Sequence, residues 1–339
     1  MKTIFVVDDS DTNLSMAEEA LDKHYRVMTM PSAAKMFSLL EKIKPDLILL
    51  DIEMPEMDGF EALGRLKSES VWANIPVVFL TGRTDAEVEV HGFEMGAVDF
   101  ITKPFSAPVL LNRIKTHLDI DELIRERTAQ LNRLQNSIVS VLANIVESRD
   151  KGTGGHIERT SAYIKILINA MKERKIYSEI ISDWDIEKMI SSARMHDLGK
   201  ISITDLIVNK PGKLTDDEYD IMKTHAEEGE RIIDKIIAQT GEGDFLRNAR
   251  LFAGSHHERW DGKGYPNGLK GEEIPLQGRI MAIVDVYDAL VSERPYKSAF
   301  TDEEAVSIIM ENAGTHYDPK IAEVFFEVRD LFKEAKAHI

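Results

Sequence analysis

The 339-residue chain predicts an α/β domain, a doubly wound five-stranded parallel sheet, joined by a long helix to an all-α domain. Three observations carry that expectation. Five short apolar runs alternate with helical patterns in the first third of the chain. A stretch without Pro or Gly follows, its apolar residues at a coiled-coil period. Beyond it the pattern is one of helices with polar interruptions.

The runs Ile4–Val7, Tyr25–Met30, Leu47–Leu50, Val77–Leu80 and Val98–Ile101 are the expected strands. Polar residues stand where these runs stop: Asp8 and Asp9 after the first, Asp51 after the third, Thr81 after the fourth, Lys103 and Pro104 after the fifth. In an open α/β sheet, side chains beyond the carboxyl ends of the strands converge on one crevice. Three carboxylates there make a hard-cation site suited to Mg²⁺, with Lys103 as a point charge. We divide the chain at residues 1–118, 119–149 and 150–339. In the middle segment Ile120, Ile124, Leu131, Leu134, Ile138, Val141 and Ile145 form an apolar seam, which Arg127 interrupts. After Leu131 the spacing is that of a heptad, so this helix is expected to link the domains and to pair two chains. Further on, a Gly-rich turn at residues 151–155 delivers His156 to the start of a helix. Residues 186–198 read as a helix ending in His196 and Asp197. Thr215 and Glu218 form a capping-box pattern, so a helix should begin there and carry His225 about three turns on. Residues 279–290 form a helix containing Asp285, and Asp318-Pro319 reads as N-cap and N1 of the last one.

Composition narrows the partners. A formal net charge of −17 argues against a nucleic-acid polymer or an anionic membrane, both of which need clustered Lys and Arg. The absence of cysteine fits a reducing compartment and excludes thiolate ligands. No apolar run approaches the roughly 20 residues of a membrane span, and Met1-Lys2-Thr3 leads straight into a strand. A cytoplasmic protein is expected.

The chemistry concentrates around Ser255-His256-His257-Glu258-Arg259-Trp260-Asp261-Gly262-Lys263-Gly264-Tyr265-Pro266. Adjacent histidines cannot face one point from a regular helix or strand, so they imply a helix end opening into a loop, where both imidazoles reach neighbouring metals. His156, His196, His225, His256 and His257, with Asp197 and Asp285, supply enough ligands for two divalent ions. Asp285 follows an apolar run, Met281 to Val284, and is costly to bury ionised unless paired or metal-bound. A carboxylate such as Asp197 can bridge two cations while imidazoles fill the outer positions. Such a pair would activate water near neutral pH and clamp a phosphate for in-line displacement. Lys200, one turn after His196, would neutralise a phosphoryl oxygen.

The first 120 residues resemble a response-regulator receiver domain. The resemblance implies that Asp51 accepts a phosphoryl group from a histidine kinase, that Asp8, Asp9 and the Glu53 carbonyl bind Mg²⁺, that Thr81 and Lys103 grip the phosphoryl oxygens, and that Phe100 is the switch aromatic. Residues 140–327 resemble the HD-GYP phosphodiesterases, through Met195-His196-Asp197-Leu198-Gly199-Lys200, Lys210-Pro211-Gly212-Lys213-Leu214, His225, the His256 to Pro266 run, and Asp285 with Asp288. That resemblance implies one metal on His156, His196, Asp197 and Asp285, and a second on His225, His256 and His257 with Asp197 bridging. His196, Asp197 and Lys200 would be catalytic. Lys200, Arg294, Tyr296, Lys297, Asp288 and the loop Gly264-Tyr265-Pro266 would hold substrate. Some members carry a Glu four residues before the first metal histidine and bind a third ion. Here that position is Gly152, so two metals are expected, iron first and manganese next. The activity implied is hydrolysis of cyclic di-GMP to the linear dinucleotide pGpG or to GMP, controlled by phosphorylation of Asp51. The rival expectations are a cyclic-dinucleotide receptor with little turnover, and a phosphodiesterase for another cyclic dinucleotide.

Overall fold

Alternating apolar and amphipathic segments become, in a computed structural model describing residues 1–82, 86–149, 155–293 and 298–339, two units, residues 1–131 and 132–339. The first contains β1 (Thr3–Val7), α1 (Asp11–Leu21), β2 (Arg26–Met30), α2 (Ala33–Leu40), β3 (Leu47–Asp51), α3 (Gly59–Ser68), β4 (Val77–Thr81), α4 (Ala86–Glu94) and β5 (Asp99–Thr102). The sheet is parallel throughout, in the order β2-β1-β3-β4-β5. Its central strands are buried on both faces, which is why they read as unbroken apolar runs. Phe5, Val7, Ile48, Leu50, Val77 and Phe79 face one helical layer. Ile4, Val6, Leu47, Leu49, Val78 and Leu80 face the other, as the period of two demands. Strand order reverses between β1 and β3, so Asp8 and Asp51 stand at a topological switch point.

α5 (Ala107–Arg149, 43 residues) starts well before residue 119. Leu110, Ile114 and Leu118 repeat every four residues and are buried against β1, β3 and β4, so the expected linker is the continuation of the helix that completes the sheet domain. Along the same helix Leu131, Leu134, Ile138, Val141 and Ile145 are all exposed, by 49–65%. Val139, Ala143 and Val146 are buried, the two valines in a cluster with Met195, Leu198, Ile233, Ala249 and Ala253. One face of its C-terminal half therefore belongs to the second unit's core, and the heptad face is left outward.

The second unit continues with α6 (His156–Glu173), α7 (Ser178–Ile181), α8 (Ile186–Ala193), α9 (Asp205–Val208), α10 (Asp216–Lys223), α11 (His225–Thr240), α12 (Asp244–Ser255), α13 (Leu276–Val291), α14 (Asp302–Glu311) and α15 (Pro319–Ala337). A 3₁₀ turn, Leu198–Ser202, precedes α9. Its main core packs α6, α8, α13, α14 and α15 around interlocked rings: Tyr163 stacks on Phe332 at 4.7 Å, and Tyr287 meets Phe325 edge-on at 5.5 Å. Two expectations about helix ends need correction. α8 stops at Ala193 because the following amides bond three residues back, Met195 to Ser192 and His196 to Ala193, a tightening that ends an α-helix. His196 and Asp197 thus stand on a turn. α10 begins at its Thr215–Glu218 capping box as expected, but ends at Lys223, where the Thr224 hydroxyl and amide both bond the Ile221 carbonyl. His225 consequently opens α11. Asp318 is the N-cap of α15, accepting from the Lys320 and Ile321 amides, and also accepts from Tyr177 and Arg279 at 2.7 and 3.0 Å. No helix among the described residues is long and apolar enough to cross a membrane.

Candidate functional site

At the strand ends of the first unit, Lys103 Nζ lies 2.6 Å from Asp8 Oδ2 and 2.7 Å from Asp51 Oδ1. One ammonium thus joins two buried carboxylates, and Asp8, Asp9 and Asp51 each offer an oxygen within 4.8 Å of the others. Burial pushes the Asp51 carboxyl up, against the hydrogen bond and charge of Lys103. The Glu53 amide donates to Asp51, while the Glu53 and Asp9 side chains are exposed. Thr81 ends β4, buried. Phe100 is buried, 5.3 Å from the Phe79 ring and 5.0 Å from Phe93. Asn13 escaped the sequence reading: its amide donates to both oxygens of Asp8, at 2.9 and 3.2 Å. Only its place on the first turn of α1 hinted at this.

In the second unit the side chains come from helix starts, helix ends and one turn. α6 and α11 present His156 and His225 at their first residues, α12 hands over His256 at its C-terminus, and α13 carries Asp285 mid-helix. His156, His196 and Asp285 offer ligand atoms within 4.8 Å of one another, and so do His225, His256 and His257. Asp197 lies between the trios. Its Oδ2 is 3.5 Å from His196 Nε2, and its Oδ1 is 3.5 Å from His225 Nε2 and 3.8 Å from His256 Nε2. Lys200 Nζ sits 2.7 Å from Asp197 Oδ2. The close approach of the 198–202 turn to α11 depends on Gly199, where a Cβ would collide with the His225 carbonyl oxygen.

Four of the imidazoles are oriented by their outer nitrogen. His196, His225 and His256 turn Nδ1 to backbone carbonyls of Ala193, Met222 and Phe252 at 2.9, 2.7 and 3.0 Å, and His156 turns Nδ1 to Asp288 Oδ2 at 2.8 Å. These partners only accept, so each Nδ1 carries a proton and Nε2 is left inward as the atom that can ligate when the ring is neutral; against burial, Asp288 and Asp285 raise the His156 pKa. Nε2 atoms then face each other, His156 to His196 at 3.4 Å and His225 to His256 at 3.2 Å, and in the second pair, where burial lowers both pKa values, the two lone pairs are opposed. Such pairs repel unless a cation lies between them, so the donor set fits divalent metal. Burial, aided by neighbouring imidazoles, drives the His256 pKa down to about 3 and lowers those of His257 and His225 as well, which keeps the rings neutral as ligands. Asp197 is held well below the carboxylate range, burial notwithstanding, by Lys200 and His196.

Asp288 is placed differently from its expected role at the substrate. It is 2% exposed, and its oxygens take His156 Nδ1 together with the Arg159 guanidinium, whose Nε and Nη2 lie 2.6 and 2.9 Å away. It orients the His156 ring and is closed off from solvent. The loop Gly264-Tyr265-Pro266 is wound around buried Glu258, which accepts from the Asn267 and Leu269 amides at 2.7 and 3.0 Å. Gly264 is required there, since a Cβ would strike the Glu258 backbone. The Tyr265 ring stacks on His257 at 4.7 Å. Arg294, Tyr296, Lys297 and Gly152 lie outside the described residues.

A doubly wound domain with an acidic switch-point pocket, followed by a helical domain built on a His-Asp pair, defines the class as a response regulator with an enzymatic HD output. The response regulator receiver domain family matches residues 4–115, and the HD domain family matches residues 140–321. A probable cyclic di-GMP phosphodiesterase of Vibrio cholerae is 40% identical over 95% of this chain and 77% of its own length. The cyclic di-GMP phosphodiesterase response regulator RpfG of Xanthomonas campestris is 32% identical over 96% of this chain and 87% of its own length. A 3'3'-cGAMP-specific phosphodiesterase of Vibrio cholerae is 38% identical over 62% of this chain and 38% of its own. The chain belongs to the family of response regulators that join a receiver domain to an HD domain, a family of metal-dependent phosphodiesterases.

Proposed function

We propose that this chain hydrolyses cyclic di-GMP, to pGpG, to GMP or to both, under the control of a phosphoryl group that a histidine kinase places on Asp51 with Mg²⁺ bound by Asp8, Asp9 and the Glu53 carbonyl. The observation that carries the hydrolytic reading is the two pairs of facing Nε2 atoms, with one oxygen of Asp197 turned to each trio. His156, His196, Asp197 and Asp285 would hold one ion, and His225, His256, His257 and Asp197 the other; iron is the first choice and manganese the next. When bound, such a pair supplies Lewis acidity and water activated near neutral pH.

The remaining work falls to the protein. Asp197 keeps both oxygens ionised and turned outward to the two trios. Lys200, beside it, neutralises a phosphoryl oxygen as negative charge develops. Tyr265 forms an apolar wall over His257 on which a base can lie, and Arg294, Tyr296 and Lys297 would hold the phosphate and base. The exposed seam of α5 would pair two chains as a coiled coil, so that phosphorylation acts by changing the dimer or the helix. These properties fit a cytoplasmic enzyme.

The test is a turnover assay with cyclic di-GMP on anaerobically prepared, metal-analysed protein, with and without beryllofluoride as phosphoryl mimic. Two ions per chain and multiple turnovers are expected, at a rate that changes with the mimic. Stoichiometric binding without product would favour a receptor, and equal rates would remove the control by Asp51. The 3'3'-cGAMP-specific relative motivates the second reading, a mixed cyclic dinucleotide as substrate, which a substrate panel decides.

A further inference from the structure

The last turn of α5 holds two side chains that grip two of the segments on which the metal centre is built, the start of α6 and the 198–202 turn. Arg149 uses its whole guanidinium. Nε and Nη2 donate to Asp205 Oδ1 at 3.0 and 2.7 Å, Nη1 to the carbonyls of Lys200 and Ile201 at 3.3 and 3.1 Å, and Nη2 to the carbonyl of Ile203 at 2.9 Å. These carbonyls form the C-terminal end of the 198–202 turn, where backbone dipoles present partial negative charge. The Arg149 carbonyl in turn accepts from Asn209 Nδ2 at 2.7 Å. Two residues earlier, Glu147 Oε1 accepts from the His156 amide at 2.7 Å, at the N-terminus of α6, where a carboxylate is favoured. Glu147 also lines a cavity with His156, His196, Asp197 and Lys200.

We propose that Glu147 and Arg149 are positioning residues: they set the start of α6, which carries His156, against the turn that carries Asp197 and Lys200, so that these two segments of the metal centre are referred to α5. The proposal rests on the dinuclear reading above and adds the element that aligns it. Because a carboxylate and a planar fork act on two different segments, their losses should differ. Without Glu147 the His156 backbone loses its anchor and the trio His156, His196 and Asp285 opens. Without the fork of Arg149 the Asp197–Lys200 turn moves by a fraction of an ångström, enough to cost catalysis but not ligation.

The experiment compares full-length wild type with Arg149→Lys, Glu147→Ala and Glu147→Gln, measuring metal per chain, kcat and KM for cyclic di-GMP, and the melting temperature. Arg149→Lys is expected to keep two ions and its melting temperature while kcat falls on the order of tenfold and KM changes by less than about twofold. Glu147→Ala is expected to bind about one ion, and Glu147→Gln, which still accepts from the His156 amide, to recover the second. Arg149→Lys with wild-type kcat overturns the proposal, as does Glu147→Ala with two ions of undiminished affinity, or Glu147→Gln failing as Glu147→Ala does. Wild type that binds no metal overturns the dinuclear reading itself. Two ions in wild type with unchanged variants overturn this inference alone.

Discussion

The two candidate cation sites of this chain solve opposite electrostatic problems. The pocket at the strand ends gathers carboxylates, and its own Lys103, 2.6 and 2.7 Å from Asp8 and Asp51, balances them. The helical site gathers imidazoles, and there the balance is missing: Nε2 atoms face each other at 3.2 and 3.4 Å, and burial lowers the pKa of His225, His256 and His257. A site stabilised by a resident ammonium can stand without a metal and exchange one readily. A site whose donors repel each other is completed only by a resident metal, and its stability should belong to the holo form. The contrast suggests ways to break it.

The largest effect is expected from Asp197→Ala, which removes a side chain turned to both trios. Metal content should fall from two ions toward none and turnover by at least about a thousandfold, as measured by elemental analysis and cyclic di-GMP hydrolysis. Asp51→Asn, its counterpart in the other domain, should abolish phosphoryl uptake while leaving the metal content of the helical domain untouched. A variant at Asp197 with full turnover would refute the dinuclear reading. Chelation comes next. With metal at about 100 times its Kd, binding stabilises the helical domain by about 2.7 kcal/mol, and a chelator should lower that domain's melting by about 5–10 °C. The receiver transition of the same sample, with Mg²⁺ kept in excess over a chelator selective for transition metals, should not move in calorimetry. Asp288→Asn is a smaller perturbation, since it leaves a hydrogen bond to His156 but loses the carboxylate that Arg159 clamps. Metal affinity should weaken on the order of tenfold, read by titration with a competing chelator, with the melting temperature of the apo protein little changed.

How much of this was legible in the sequence follows from how each site is built. The receiver pocket lies where strands stop, and a strand of period two places its last residue without ambiguity, so Asp8, Asp51, Thr81 and Lys103 could be assigned to one crevice from the runs alone. The residues of the helical site were legible as chemical types, through the tandem histidines and an Asp in an apolar run, but not as local structure. His196 and His225 stand one turn outside the helices expected to carry them, because the decisive interactions, i to i−3 amides after Ser192 and the Thr224 cap, are local choices with no periodic signature. The partners that orient the ligands were legible least. Asp288 was expected at the substrate from the family resemblance, yet it stands at Nδ1 of His156 while Asp285, one helical turn earlier, stands near Nε2. Arg149 and Glu147 look like ordinary exposed charges on a polar helix, and only the tertiary approach of the 198–202 turn and α6 gives them partners.

The last comparison is between imidazoles that burial keeps neutral for metals and one that burial keeps neutral for nothing. His316 lies outside both trios, stacked on Tyr317 at 4.4 Å, with its backbone carbonyl accepting from the Trp260 amide. Burial, and after it the charge of Arg259, lowers its pKa from 6.5 to about 4, while Asp261 works the other way. A base with a depressed folded pKa binds fewer protons folded than unfolded between those two values, so stability rises with pH there. The contribution is complete above pH 6.5 and is lost progressively as pH falls toward 4. With a discount for its partial exposure, about 1 kcal/mol should disappear between pH 7 and pH 5. His316→Gln cannot take up that proton, so its melting temperature should fall less than that of wild type over the same interval, both measured after chelation so that the metal-binding imidazoles contribute equally. Parallel curves for the two proteins would show that His316 is solvated in the folded chain, and that burial without a cation does not hold an imidazole neutral in this domain.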